Sequence, residues 1–232
     1  MSSIVRLAMA VAFALSGGCA ALADDDTKPN DPNPPASVKI EVSRGDRWTY
    51  QVRDDVTDEL KAIFDVAVTD VTDSEIDTRI RTTNAATNTE STAVYVFDPH
   101  WWLKDDGVAV YRPGLQHLGI PADIQVGKTW SYGFERSRIN PPGDFKFAGK
   151  AKVESWERVS VSNGLAYDAF KIEFNQAATP VVNNRKFEEH VVLWYAPAAN
   201  RYVKLVFESR QNGKLLTATV QTLREYRPAA KK

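Results

Sequence analysis

The hexapeptide Gly45-Asp46-Arg47-Trp48-Thr49-Tyr50 returns 82 residues later as Gly127-Lys128-Thr129-Trp130-Ser131-Tyr132, and this repeat constrains the fold more than any other feature of the chain. In each copy the glycine supplies a turn and the residues after it alternate. Trp48, Tyr50 and Val52 share one face of a strand, while Arg47, Thr49, Gln51 and Arg53 take the other. The second copy puts Trp130, Tyr132 and Phe134 on one face, with Thr129, Ser131 and Glu135 opposite. That pattern is a half-buried strand, and its return reads as a β unit written twice. Further along, Val94-Tyr95-Val96-Phe97-Asp98-Pro99 precedes a Trp-rich strand much as Val192-Leu193-Trp194-Tyr195-Ala196-Pro197 precedes Arg201-Tyr202-Val203-Lys204. There the offset has grown to 98 residues, which loop insertions in the second copy explain.

The rest of the chain is read outward from these two strands. In the first copy strands are predicted at 46–53, 60–69, 75–83, 91–98, 101–104 and 107–112, with Val38 to Val42 a further short strand before them. The second copy predicts strands at 128–137, 144–160, 165–175, 186–195, 201–210 and 214–226, separated by turn residues that include Asn163-Gly164 and Asn212-Gly213. Leu60 to Val68 fits helical spacing as well as alternation, but the β-branched Val-Thr-Asp-Val-Thr that follows favours a strand. The fold class is therefore all-β: an antiparallel meander of about a dozen strands, curled into an open barrel or folded into a sandwich to bury its aromatic face.

Residues 1–23 read as a secretory signal, with Arg6, an apolar run from Leu7 to Leu15, and Ala21-Leu22-Ala23 before Asp24. A lipoprotein anchored through Cys19 is the less favoured alternative, because Ser16 stands where lipid attachment wants an apolar residue. The Asp- and Pro-rich segment 24–37 is expected to be a disordered tether. Residues 38–232 are then expected to form one β domain built from copies at about 38–112 and 125–232. The connector between them carries Leu115, Leu118, Ile120 and Ile124, which want burial and do not suit a flexible linker. Charge is unevenly divided: residues 24–112 hold 10 basic and 19 acidic side chains, and residues 113–232 hold 18 and 11. A periplasmic or secreted protein that is near neutral overall suits an envelope partner and not nucleic acid.

The pattern Gly-x-x-Trp-x-Tyr, then Val161-Ser162-Asn163-Gly164-Leu165-Ala166-Tyr167-Asp168-Ala169-Phe170-Lys171-Ile172, then Trp194-Tyr195-Ala196-Pro197 and Val203-Lys204 resembles a group of bacterial exported β-rich proteins of unknown function. In that group the middle segment usually reads Pro-Ala-Gly-x-Phe-Asp-x-Phe-Lys, so Ser162-Asn163-Gly164 and Tyr167 are departures. The resemblance covers most of the chain but rests on strand and turn residues. It implies a fold and a compartment, and it carries over no catalytic residue.

Chemistry is thinly marked. His100, His117 and His190 do not form a ligand pair, so neither a metal nor a cofactor is expected. No Gly-x-Ser-x-Gly elbow occurs. The candidates for a ligand site are the aromatic residues Trp48, Tyr50, Trp101, Trp102, Trp130, Tyr132 and Trp194, taken to face a shared interior. Lys146, Lys150 and Lys152, with Arg136 and Arg138 before them, form a basic stretch suited to an anionic envelope component. The function expected is a non-enzymatic, monomeric binding or accessory protein. Its partner would be an envelope lipid, glycan or protein, and no membrane span is expected. The alternative is an extracytoplasmic hydrolase drawing acid and base from His100, His190, Glu188 and Glu189, with His190 alternating with Glu188 on one strand face.

Overall fold

A computed structural model describes residues 33–138, 143–182 and 185–230. The signal, Cys19 and most of the tether lie outside the described residues. Twelve strands follow one another in chain order. The first copy gives β1 (Arg47–Asp54), β2 (Leu60–Val71), β3 (Ile76–Asn84), β4 (Glu90–Phe97), β5 (Leu103–Asp105) and β6 (Ala109–Leu115). The second gives β7 (Thr129–Arg138), β8 (Gly143–Ser160), β9 (Ala166–Pro180), β10 (Phe187–Ala196), β11 (Arg201–Gln211) and β12 (Lys214–Arg227). Each strand pairs antiparallel with its neighbours in sequence, and β1 pairs with β12, so the meander is a closed barrel. Closure joins the first strand to the last, so no whole strand is left as a free edge, although β4 meets β5 only at Val96 and Phe97 and β7 meets β6 only over Glu135–Arg138.

The ambiguous segment 60–68 is strand, as alternation required. Val38 to Val42 is not: a closed barrel offers it no edge to pair with. Instead Val38, Ile40 and Val42 pack against the core, and Glu41 N–H donates to Asn200 Oδ1 at 3.2 Å. Connections from odd to even strands define an upper end; connections from even to odd strands, with both termini of the barrel, define a lower end.

Alternation sorts the side chains as the repeat demanded. Trp48, Tyr50 and Val52 point inward on β1, and Tyr132 and Phe134 do so on β7, all of them buried. Phe170, Ile172, Phe174, Val191, Leu193 and Leu205 complete one contiguous core that draws on both copies. The outer face carries Arg47, Asp65, Arg81, Lys150, Lys152 and Glu173, the reverse of the apolar-out pattern of a membrane-spanning barrel. Among the described residues no helix is long and apolar enough to cross a membrane. The connector behaves as its composition implies: a short 3-10 turn at Gln116–Leu118 tucks into the barrel, and Leu115, Ile120 and Ile124 are buried.

Candidate functional site

The aromatic residues singled out from the sequence do not share one interior site. They separate into two clusters, one sealing the lower end and one running up the inner face of β7 from its start, with two residues elsewhere.

The lower cluster holds Trp48, Tyr50 and Trp101, each 0% exposed. Trp48 and Trp101 meet edge to face at 5.6 Å, Phe97 meets Trp101 at 5.2 Å, and Tyr226 stacks on Trp48 at 5.4 Å. Both indole N–H groups are used: Trp48 donates to the Ala199 carbonyl and Trp101 to the Asn200 carbonyl, each at 2.8 Å. Tyr50 stacks on Tyr202 at 4.8 Å and donates its hydroxyl to the Tyr202 carbonyl at 2.8 Å. In the middle lies Arg201, 2% exposed, its guanidinium carbon 4.4 Å from the Trp101 ring and 5.2–5.5 Å from those of Phe97, Tyr202 and Trp48. Its Nε and Nη1 have no hydrogen-bond partner among the described residues. Four ring faces therefore carry much of the stabilisation of this charge, at up to about 2 kcal/mol each when desolvated.

Local backbone is bent to close this end. Trp101 has φ +65°, a left-handed conformation that costs a bulky residue on the order of 1–3 kcal/mol and persists because its ring is held by Trp48, Phe97, Arg201 and the Asn200 carbonyl. Gly119 passes so close to the His100 carbonyl that a Cβ there would sit 2.0 Å from its oxygen, and the neighbouring Ile120 N–H donates to the same oxygen at 3.1 Å. The lower end is a plug of interlocked aromatics.

The second cluster begins with Trp130 and Tyr132 near the start of β7, both 5.9 Å from Phe174, and leads up to Arg136 near the upper end of that strand. Trp130 is half-buried and donates to Gln116 Oε1 at 3.1 Å. Tyr132 lies over Gly149, where a Cβ would come within 2.9 Å of its ring. From Tyr132 a polar row runs along the inner wall, over Gly149 of β8 to Gln176 of β9 and Glu189 of β10, which stand in register. The Tyr132 hydroxyl donates to Gln176 Oε1 at 2.8 Å, and Gln176 Nε2 donates to Glu189 Oε2 at 2.5 Å. His117, from the connector, sits against Phe174 and Phe207 and has Gln176 as its hydrogen-bonding neighbour.

Some of the His117 ring stays accessible, but Nδ1 is enclosed and unpartnered among the described residues. Burial pushes its pKa down to about 4, against the hydrogen bond with Gln176, which favours the proton. Burial raises Glu189 above the usual carboxylate range, with Gln176 and Arg136 pulling it back. Burial also raises the Tyr132 phenol, helped by the Glu189 charge.

Arg136 closes the row. Its guanidinium carbon is 4.5 Å from the Phe145 ring and 5.7 Å from that of Phe147, and its Nε is buried without a partner among the described residues. Opposite it, the Tyr111 hydroxyl donates to Asp106 Oδ2 at 2.7 Å. Phe145, Phe187 and Phe207 line this side and are half-buried, unlike the sealed rings below, and Tyr95, also half-buried, meets Phe97 of the plug at 6.3 Å. The assembly is a cation and a hydrogen-bonding row set among partly open aromatic rings.

The remaining candidates fall elsewhere. Trp194 is on the outer face, donating to Glu157 Oε1 at 2.7 Å between Lys171 and Lys204. Trp102 is half-buried beside His100, their rings 5.9 Å apart. His100 belongs to the lower β4–β5 connection. His190 lies near the upper start of β10 on its outer face, so the two histidines are not brought together. Nor does His190 pair with Glu188: its Nε2 is 2.9 Å from Glu173 Oε1 on β9. Glu173 is the diagonal neighbour of His190 across the β9–β10 pair, opposite Val192, and alternation along one strand carries no signal for a partner on the next. Of the basic stretch, Lys146, Lys150 and Lys152 point out while Arg136 points in. A depression of about 540 Å³ is bordered by Thr129, Trp130, Lys150, Lys152 and Glu173, and another of about 370 Å³ by Gln176, Glu189, His190 and Arg210. No group of three or more metal-ligating side chains occurs among the described residues.

No protein-family model matches the chain, and no curated protein does. Solved structures do. A crystal structure of a proposed lipoprotein from Parabacteroides distasonis aligns with TM-score 0.58 and 13% identity, over 84% of this chain and 100% of that one. A proposed exported protein with a YmcC-like fold from Bacteroides fragilis aligns with TM-score 0.51 and 13% identity, over 82% of this chain and 99% of that one. At such identity the likeness is one of fold.

Proposed function

We propose that this protein is an exported, non-enzymatic binding protein of the cell envelope that holds an amphipathic molecule at the upper end of its barrel. One observation carries the reading: Arg136 lies on Phe145 and Phe147 beside the Glu189–Gln176–Tyr132 row, at the end whose aromatics remain half-open. An anionic group would meet the guanidinium fork, and an apolar portion would cover Phe187 and Phe207. Of the expected ligand residues, Trp130 and Tyr132 belong to this site. Trp48, Tyr50 and Trp101 support it from the plug below.

Export is supported by the signal-like start of the chain and by the description of both fold neighbours as exported protein or lipoprotein. The same reading takes residues 38–232 as one domain grown from a duplicated unit, since each copy supplies six consecutive strands of the barrel. The hydrolase alternative draws no support from His100 and His190, which stand at different ends. Native mass spectrometry of the purified protein is the test. A co-purified lipid or glycan that is absent from the Arg136→Met variant is the expected result; a bare chain mass, with no added amphiphile retained, would refute the reading.

A further inference from the structure

The barrel wall is incomplete beside the lower half of β7. β6 pairs with β7 only where Ala109–Arg112 meets Arg138–Glu135, then swings away to set Leu115 against Leu103 of β5, and the connector after it turns inward. Thr129 to Phe134 are thus paired on one side only, with Lys152 to Phe147 of β8. Which backbone groups are left over follows from the start of the strand. Gly127 N–H donates to the Val153 carbonyl and Val153 N–H to the Lys128 carbonyl, so the ladder to β8 continues at Trp130, Tyr132 and Phe134. Thr129, Ser131 and Gly133 then turn their N–H and C=O groups toward the gap, where nothing among the described residues bonds to them. All three residues are exposed. Natural sheets blunt such an edge with lysine, proline or a covering loop, whereas the outward face here carries only Thr, Ser and Gly.

Thr129 and Ser131 border the depression of about 540 Å³, together with Trp130, Lys150 and Lys152. Charge around it is not balanced. Each nearby acid is taken: Asp123 by Lys128, Glu135 by Lys146, Glu154 by Lys152, and Glu173 by His190 and Asn175. Lys150, directly opposite Ser131, and Arg112, across the gap, are exposed and have no acidic partner among the described residues.

We propose that the open edge of β7 takes up an extended segment of a partner protein as an added antiparallel strand, one whose side chains alternate between apolar and acidic. Pairing with Ser131 and Gly133 supplies about four main-chain hydrogen bonds, and Thr129 extends the ladder. Acidic side chains of the added strand lie over Ser131 and Gly133 on the outer face, between Lys150 and Arg112. Apolar ones turn inward beside the half-exposed ring of Trp130. A second copy of the chain fits less well, because joining two β7 edges about a two-fold axis puts both Lys150 side chains on one face with no free acid between them. This goes beyond the ligand reading and does not depend on it.

The test uses the peptide acetyl-Thr-Val-Glu-Val-Glu-Val-Thr-amide and residue-resolved amide hydrogen exchange. In the free protein the Ser131 and Gly133 amides should exchange at least about a hundredfold faster than those of Trp130 and Tyr132. Peptide added to about 1 mM should slow Ser131 and Gly133 at least about tenfold and saturably, and less at roughly 0.5 M salt than at roughly 0.05 M. The same peptide N-methylated at both glutamates, which removes the donors facing β7, should bind at least about tenfold more weakly. Lys150→Glu should weaken binding as much, and a peptide with lysine at both glutamate positions should recover it. Lys150 makes no hydrogen bond or ion pair among the described residues, so the melting curve of this variant should be unchanged. Ser131 and Gly133 amides as protected as Trp130 in the free protein would overturn the proposal. So would binding indifferent to N-methylation, no saturable binding, or a dimer in sedimentation that protects the same amides.

Discussion

Arg201 and Arg136 are both inward arginines resting on aromatic rings, one at each end of the barrel, and their surroundings differ in how completely they close over the cation. Arg201 is enclosed by Trp48, Phe97, Trp101 and Tyr202. Arg136 is half-buried over two phenylalanines, with the Glu189 row beside it and partly exposed rings around it. The lower arginine has its planar faces covered and serves as a lock. The upper one keeps a side toward the mouth. The same cation on the same kind of ring can thus be structural or receptive, according to how completely the neighbours close over it.

The sharpest way to break this contrast is to remove a ring from each cluster. Trp48→Ala deletes a sealed side chain that also satisfies the Ala199 carbonyl, and should cost roughly 3–5 kcal/mol. Trp130→Ala removes a half-exposed ring and should cost clearly less, about 1.5–3 kcal/mol. Equal losses in denaturant melts would mean that the second cluster is packed like the plug.

Arg201 itself sharpens the lock. Arg201→Met keeps volume and removes the buried charge, so stability should change by no more than about 1 kcal/mol. Arg201→Lys keeps the charge but loses the planar cover of four rings, and should cost about 1–3 kcal/mol. A lysine variant more stable than the methionine one would show that the rings are not what holds this cation.

A smaller effect is expected at His117. Its folded pKa of about 4 lies below the ordinary value of 6.5, so between these pH values the unfolded chain takes a proton that the folded chain refuses. Stability from this group is therefore complete above pH 6.5 and declines as pH falls toward 4, by on the order of 3 kcal/mol at most. Glu189, raised by burial, acts in the opposite sense as pH rises above the usual carboxylate range. Comparing the wild type with His117→Gln isolates the imidazole: the variant should lose less stability on acidification, and parallel pH curves would place the ring in water.

Much of the fold was legible because β alternation is a local signal. The strands fall within a few residues of those read from Trp48 and Trp130, and even segment 60–68 resolves by its β-branched tail. Closure was not legible, since the pairing of Arg47 with Arg227 joins residues that no local pattern connects. The site was half visible: the alternation Trp130, Tyr132, Phe134 runs on into Arg136, and Leu193, Val191 runs back to Glu189, each a charge on an inward face. Gln176, between Phe174 and Ala178 on β9, is a similar signal. What brings His117 beside it is the inward tuck of the connector, which depends on the whole barrel being there to receive it.

The contrast between lock and receptor is tested most directly by titrating dodecyl phosphate into the wild type, Arg136→Met and Arg201→Met, with the melting curve of each recorded alongside. Binding should be lost with Arg136→Met while its stability stays within about 0.5 kcal/mol of the wild type, as expected of a change at a half-open site. Arg201→Met should bind as the wild type does. Undiminished binding by Arg136→Met, or loss confined to Arg201→Met, would contradict the assignment of the two ends.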